Sequence, residues 1–249
     1  MTQEKPLEKL VEGYSNTAIF RRIAFIGDSL SSGEFVTVDE NGTRRYHDLY
    51  EHSWGQYIAR KNGLFAYNFS RGGMTAKWYL DSFAEEKGFW NKDKACQAYV
   101  IALGVNDLFN QGFKVGAAED ITKTEFEKDR PYVSYYAEIV RRYKEISPDA
   151  KFFFVTLPND GRNKEITENM VRAMYDLAEH FENSYVIDLY KYGEEYDDEF
   201  RRKYYLHGHM NPMGYVYTAK IIDSYIDYII RTNPSDFEYA GLIGTGIRY

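Results

Sequence analysis

Ile23-Ala24-Phe25-Ile26-Gly27-Asp28-Ser29-Leu30-Ser31-Ser32-Gly33 runs an apolar stretch straight into a polar turn. Four apolar residues in succession fit a strand covered on both faces, as in a parallel sheet packed between helices. The turn that follows puts a serine where the chain leaves the carboxyl edge of such a sheet. There it is open to substrate, and the turn amides can face a developing oxyanion. Alone, the turn is weak evidence, because glycine, aspartate and serine also make ordinary turns and helix caps.

Working outward, further short β-branched and aromatic runs alternate with long helical patterns, the arrangement of βαβ units. Strands are expected at 22–26, 65–69, 98–103, 151–156 and 185–187, and helices at 54–61, 132–146, 164–181 and 212–232. Ser147-Pro148-Asp149 stops one helix just before a strand. No repeat or linker divides the chain, so residues 1–249 read as one domain with a core over about 21–232. The tail 233–249 has no clear period, and its packing across a subunit interface would make the protein a homo-oligomer. Segments 34–51 and 109–130 are polar and poorly periodic, and each follows the carboxyl end of a strand. Ligands bind at that edge of an open parallel sheet, which makes both segments expected pocket walls.

Three more blocks fall at the same edge. Asn68-Phe69-Ser70-Arg71-Gly72-Gly73-Met74-Thr75 offers two glycines where backbone can approach a ligand closely. Gly104-Val105-Asn106-Asp107 offers an amide side chain that can donate into the same crevice. Leu206-His207-Gly208-His209-Met210-Asn211-Pro212-Met213-Gly214-Tyr215 opens the last helix, and a histidine there can reach the serine after the first strand and take its proton.

Together and in this order the four blocks resemble the SGNH, or GDSL, hydrolase family, over about residues 21–230. The resemblance implies a three-layer α/β/α sandwich with a five-stranded parallel sheet, flavodoxin-like, as the alternating pattern does. It implies Ser29 as nucleophile, His209 as base, and an oxyanion hole made by Ser29 N–H, Gly73 N–H and the Asn106 side chain. The implied activity is a serine esterase that passes through an acyl-enzyme, with short-acyl, acetyl-like esters of carbohydrates as the first expected substrates. The spacing to Asn211-Pro212 and Gly214-Tyr215 selects His209 over His207. Asp28, next in sequence to the nucleophile, is expected to tie down its own turn and to point away from the pocket.

One position departs from the family. Three residues before the histidine it carries an aspartate that orients the imidazole, and here Leu206 stands there. A leucine accepts no hydrogen bond, so a backbone carbonyl near Tyr205 to His207 is the expected partner. Asp188, Asp197, Asp198 and Glu199 are the carboxylate alternatives, and a Ser-His dyad is a further one. The missing aspartate also keeps open a non-catalytic ligand-binding module on this fold, and the same residues would serve an acyltransferase.

Composition narrows the classes. Thirty-one Lys and Arg against 38 Asp and Glu give a net charge of −7, which argues against a nucleic-acid partner. The acidic amino terminus lacks the apolar core of a secretory signal, and no apolar run is long enough to span a membrane, so a soluble cytoplasmic protein is expected. The lone cysteine, Cys96, reads as a small core residue that makes neither an internal disulfide nor a thiolate zinc site. The histidines show no metal-ligand spacing. No metal and no cofactor is expected, and the partner is a small-molecule ester, an acylated sugar being the favoured form. Aromatics at 17% suit sugar stacking, but core packing explains most of them.

Overall fold

The computed structural model describes residues 4–126 and 129–247. The expectations for 109–130 and for the tail therefore fall partly on residues 127–128 and 248–249, which lie outside the described residues. The strands, in chain order, are β1 Arg22–Gly27, β2 Glu34–Val38, β3 Arg44–Asp48, β4 Phe65–Ser70, β5 Ala98–Ala102, β6 Lys151–Val155, β7 Ser184–Ile187, β8 Tyr205–Leu206 and β9 His209–Met210. Five of them form one sheet in the order β4-β1-β5-β6-β7, with every neighbouring pair parallel. That is the flavodoxin-like winding, whose strand order reverses beside β1.

Alternate residues of each strand face opposite layers. Ala24 and Ile26 of β1 pack with Tyr99, Ile101, Phe152 and Phe154 under the helices Tyr132–Ile146 and Lys164–His180. Ile23 and Phe25 pack with Val100 and Phe153 under Trp54–Asn62 and Pro212–Thr232. The three-layer sandwich expected from the sequence is thus the observed one. Both helices of the second layer begin on side-chain caps: Ser53 accepts from Gln56 N–H, and Asn211 accepts from Gly214 N–H with Pro212 in the first turn. The aromatics largely serve this core. Tyr132 and Tyr136 are fully buried, and their hydroxyls donate to the carbonyls of Leu103 and Ile101 at 2.8 and 2.9 Å. Cys96 is buried just ahead of β5, where burial pushes its thiol up to about 12.

Register places the site. Gly27 pairs with Ser70 on one side and Ala102 on the other, so β1, β4 and β5 end level. The chain after each of them leaves the sheet at one place.

Segment 34–51 is more ordered than its polar composition suggests. β2 and β3 form an antiparallel hairpin, with Glu34 opposite Asp48 and Val36 opposite Tyr46. Its turn is closed by Asp39 Oδ1, which accepts from Asn41 N–H and Thr43 N–H at 3.0 Å, and Gly42 takes a φ of +80°. Asn41-Gly42 is the hairpin signal that the run of charged residues masks. A two-stranded hairpin is marginal alone. This one is fixed at its root, where Leu49 N–H donates to Gly33 O at 2.9 Å and Tyr215 OH donates to Glu34 O at 2.7 Å. The tail, as far as it is described, packs on its own chain. Phe237 is buried among Phe20, Phe153 and Tyr185, and Gln97 Nε2 donates to Ala240 O at 2.8 Å. No helix among the described residues is long and apolar enough to cross a membrane.

Candidate active site

A cavity of about 430 Å³ opens at the carboxyl ends of β1 and β5, and Ser29, Gly73, Asn106 and His209 all line it. Ser29 owes its place to the turn that ends β1. Asp28 caps it, its Oδ1 accepting from Leu30 N–H at 3.0 Å while its carbonyl accepts from Ser31 and Ser32 N–H at 3.0 and 2.9 Å. Ser29 is therefore the first residue of a tight helical turn. Ser29 is half-buried, and its Oγ has no hydrogen-bond partner among the described residues.

The second block is tied to the first by Arg71 N–H, which donates to Gly27 O at 3.3 Å. Gly73 is exposed at the cavity with φ +73°, a conformation that glycine adopts without the cost a side chain brings. Its N–H carries no hydrogen bond among the described residues. The third block is tied to the second by Asp107, whose Oδ1 accepts from Ala76 N–H at 2.9 Å. Its Oδ2 is buried without a partner, and burial pushes the carboxyl up to about 7.

Asn106 is buried and already engaged. Its Nδ2 donates to Met74 O at 3.1 Å and, more weakly, to Asp28 Oδ2 at 3.4 Å, while its Oδ1 accepts from Asn110 Nδ2 at 2.6 Å. The bond to Asp28 is the long one, and so the easiest to exchange for a ligand oxygen. Asp28 does tie down its turn, but it does not point away from the pocket. The residue lines the cavity, its Oδ2 faces the Asn106 amide, and burial pushes its carboxyl up to about 6. Adjacent backbone positions do not fix side-chain direction where a strand turns sharply into a helix, and here the cap turns Asp28 inward.

His209 sits on β9, one strand of a second small hairpin whose turn is His207-Gly208, with φ of 51° and 91°. His207 is an exposed turn residue, and His209 is the histidine at the cavity. The ring lies edge-on to Tyr46, with centroids 6.0 Å apart. Its Nε2 is 3.0 Å from Glu34 Oε1, and its Nδ1 is buried with no partner. Ser29 and His209 line one cavity without a hydrogen bond between them, a looseness common in catalytic sites before substrate binds.

None of the partners expected for the imidazole is the one observed. No carbonyl of the 205–207 stretch accepts from it. Asp188 accepts instead from Lys191 N–H and Tyr175 OH, Asp197 caps Phe200 N–H, and Glu199 pairs with Lys203. Asp198 is exposed in the first turn of the helix Asp198–Tyr204. Leu206 lies directly opposite His209 in the hairpin and is 54% exposed. The carboxylate that reaches the ring comes from the β2–β3 hairpin. Segment 34–51 was expected as a pocket wall, and the signal available for Glu34 was its position immediately after Gly33, at the exit of the serine turn.

The far wall also went unread in the sequence. Arg162 pairs with Asp160 and lies over the Phe109 ring at 5.4 Å. Arg201 donates to the carbonyls of Tyr196 and Asp160 at 3.1 and 3.2 Å. Among the described residues no group of three or more His, Cys, Asp or Glu side chains could hold a metal ion.

No curated protein matches the sequence. Among solved structures, the chain is similar to a carbohydrate esterase family 2 enzyme with a carbohydrate-binding domain from Corynascus thermopiles (Myceliophthora fergusii). The TM-score is 0.58 at 15% identity, over 85% of this chain and 67% of that one. It is similar also to a family two carbohydrate esterase from Clostridium thermocellum in complex with cellohexaose, with a TM-score of 0.59 at 16% identity, over 95% and 67%. A Lactobacillus plantarum protein gives a TM-score of 0.61 at 15% identity, over 86% and 97%. At these identities the likeness shows the fold. The model of the GDSL-like lipase/acylhydrolase family matches residues 25–217, from β1 into the helix Pro212–Thr232 and across all four blocks, and the chain therefore belongs to that family of carboxylic ester hydrolases.

Proposed function

We propose that the chain hydrolyses short-acyl esters, acetyl esters of carbohydrates first among them, with Ser29 as nucleophile and His209 as proton carrier. Four loops distant in sequence converge on one cavity, and this convergence supports the reading beyond any single motif. Ser29 attacks the ester carbonyl as His209 takes its proton. The oxyanion is met by Ser29 N–H and Gly73 N–H, both unpaired among the described residues, and by Asn106 Nδ2 as it exchanges Asp28 for the ligand oxygen. Donors fixed before the reaction stabilise the developing charge without reorganising. Collapse of the adduct releases the alcohol with the proton from His209; water then gives a proton to His209 and attacks the acyl carbonyl, the Oγ–C bond breaks, and Ser29 recovers its proton as the acid leaves.

The acyl preference rests on the charged groups that line the cavity, Asp28, Glu34, Asp160, Arg162 and Arg201, which stand there beside aliphatic side chains such as Leu30, Val105, Leu157 and Leu189. The carbohydrate preference rests on the esterases of similar fold, one of which is in complex with cellohexaose. Aryl esters from acetyl to decanoyl and an acetylated cello-oligosaccharide, assayed with wild type and S29A, test both. Acetyl esters should turn over fastest, and S29A should lose at least about 10³ in kcat. Faster turnover of decanoyl esters would overturn the short-acyl part, and an undiminished S29A rate would overturn the nucleophile.

A further inference from the structure

The structure supplies His209 with a carboxylate from a place where the family pattern has none. We propose that Glu34, on the hairpin that follows the serine turn, positions the catalytic imidazole in place of the family's aspartate. This inference rests on the ester-hydrolase reading above and adds a residue to it.

Glu34 is held from several sides. Its side chain is 11% exposed and that of His209 is 21%, so the 3.0 Å contact between them is largely shielded from water. Its carbonyl accepts from Tyr215 OH at 2.7 Å, which fixes the backbone that carries the carboxylate. Gly72 leaves room for the other carboxylate oxygen, because a Cβ there would lie 2.2 Å from Oε2. Tyr46, from the second strand of the same hairpin, packs edge-on against the imidazole. One hairpin thus holds the ring by charge and by contact.

The contact also sets the tautomer. A carboxylate oxygen has only lone pairs to offer, so an Nε2 lone pair facing it would be repelled, and Nε2 must carry the hydrogen. In the neutral ring the lone pair then stands on Nδ1, the buried atom with no partner. In acylation, Ser29 Oγ–H passes its proton to the His209 imidazole as the Oγ–C bond forms and the carbonyl pair moves to oxygen. In collapse the C–O bond to the alcohol breaks, and the alcohol leaves with that proton. Glu34 stabilises the imidazolium without taking its proton.

The test compares wild type, E34A, E34Q, E34D and S29A on an aryl acetate, together with 15N NMR of the histidine side chains. E34A and E34Q should lose about 10²–10⁴ in kcat with KM within about threefold, the signature of an interaction made in the transition state. E34D should recover part of that loss. The 15N spectrum should show His209 with Nε2 protonated in wild type and should lose that preference in E34A. E34Q keeps the shape of the side chain, so it tests the charge even if E34A fails to fold. An E34Q kcat within about threefold of wild type beside an inactive S29A would overturn the role of Glu34 alone. A wild-type ring protonated on Nδ1 would do the same, whereas a fully active S29A would overturn the nucleophile on which it rests.

Discussion

Two buried carboxylate regions of the fold have opposite characters. Asp223, fully buried in the helix Pro212–Thr232, accepts from Ser15 Oγ at 2.6 Å, Asn62 Nδ2 at 3.0 Å and Lys61 Nζ at 2.9 Å. Its charge is met from three directions, and the cluster fastens the residues before β1 to the helices Trp54–Asn62 and Pro212–Thr232. Asp28 and Asp107, at the carboxyl edge of the sheet, are equally buried and far less well served. Asp107 has an oxygen with no partner, and Asp28 has a long bond from Asn106 on its second oxygen. Buried groups with open valences cluster where a ligand can complete them, while buried groups with none hold the fold together.

The largest effect expected tests the first half of that contrast. D223A should destabilise the fold by about 3–5 kcal/mol, the usual loss when one partner leaves a buried ion pair, with kcat of the folded fraction unchanged. Chemical denaturation beside a single-turnover assay measures both, and a kcat loss without loss of stability would erase the distinction between the regions.

N106A acts on the other half. Removing one side-chain donor from an oxyanion site should lower kcat by about 10²–10³ with little change in KM, since the bond strengthens only as charge develops on the substrate. A change confined to KM would make Asn106 a ground-state binding group.

The smallest effect concerns Asp107, whose carboxyl burial pushes up to about 7. Its folded-state value lies above that of the unfolded chain, so the protonated fold is favoured. Its contribution to stability is fully present below about pH 4 and is lost as pH rises toward 7. D107N removes this titration. Relative to wild type, the variant should gain about 1–3 kcal/mol between pH 4 and 7.5 in urea melts, and parallel stability curves would show that Asp107 is not a source of strain.

Much of this was legible beforehand for an identifiable reason. Ile23 to Ile26, Tyr99 to Ile101 and Phe152 to Val155 announce doubly covered strands because burial on both faces requires apolar residues at every position. The helix Pro212–Thr232 announces its start because Asn211 and Pro212 are the residues that such a start requires. Those signals sit within a few residues of the structure they specify. The hairpin Glu34–Asp48 was lost because its strands are mostly exposed and polar, so no alternation marks them, and Asn41-Gly42 alone carried the turn.

The sequence by itself determined the parallel sheet, the helices on its two faces and the four blocks that its carboxyl edge would gather, because periodicity, capping and turn chemistry act between near neighbours. Only the tertiary structure decided which carboxylate meets His209, that Asp28 turns into the cavity, and that Asn106 enters with its hydrogen bonds already assigned. Those pairings join residues far apart in the chain. They depend on where a loop is carried after it leaves the sheet and on which buried groups find a partner there, and neither is written in the residues on either side.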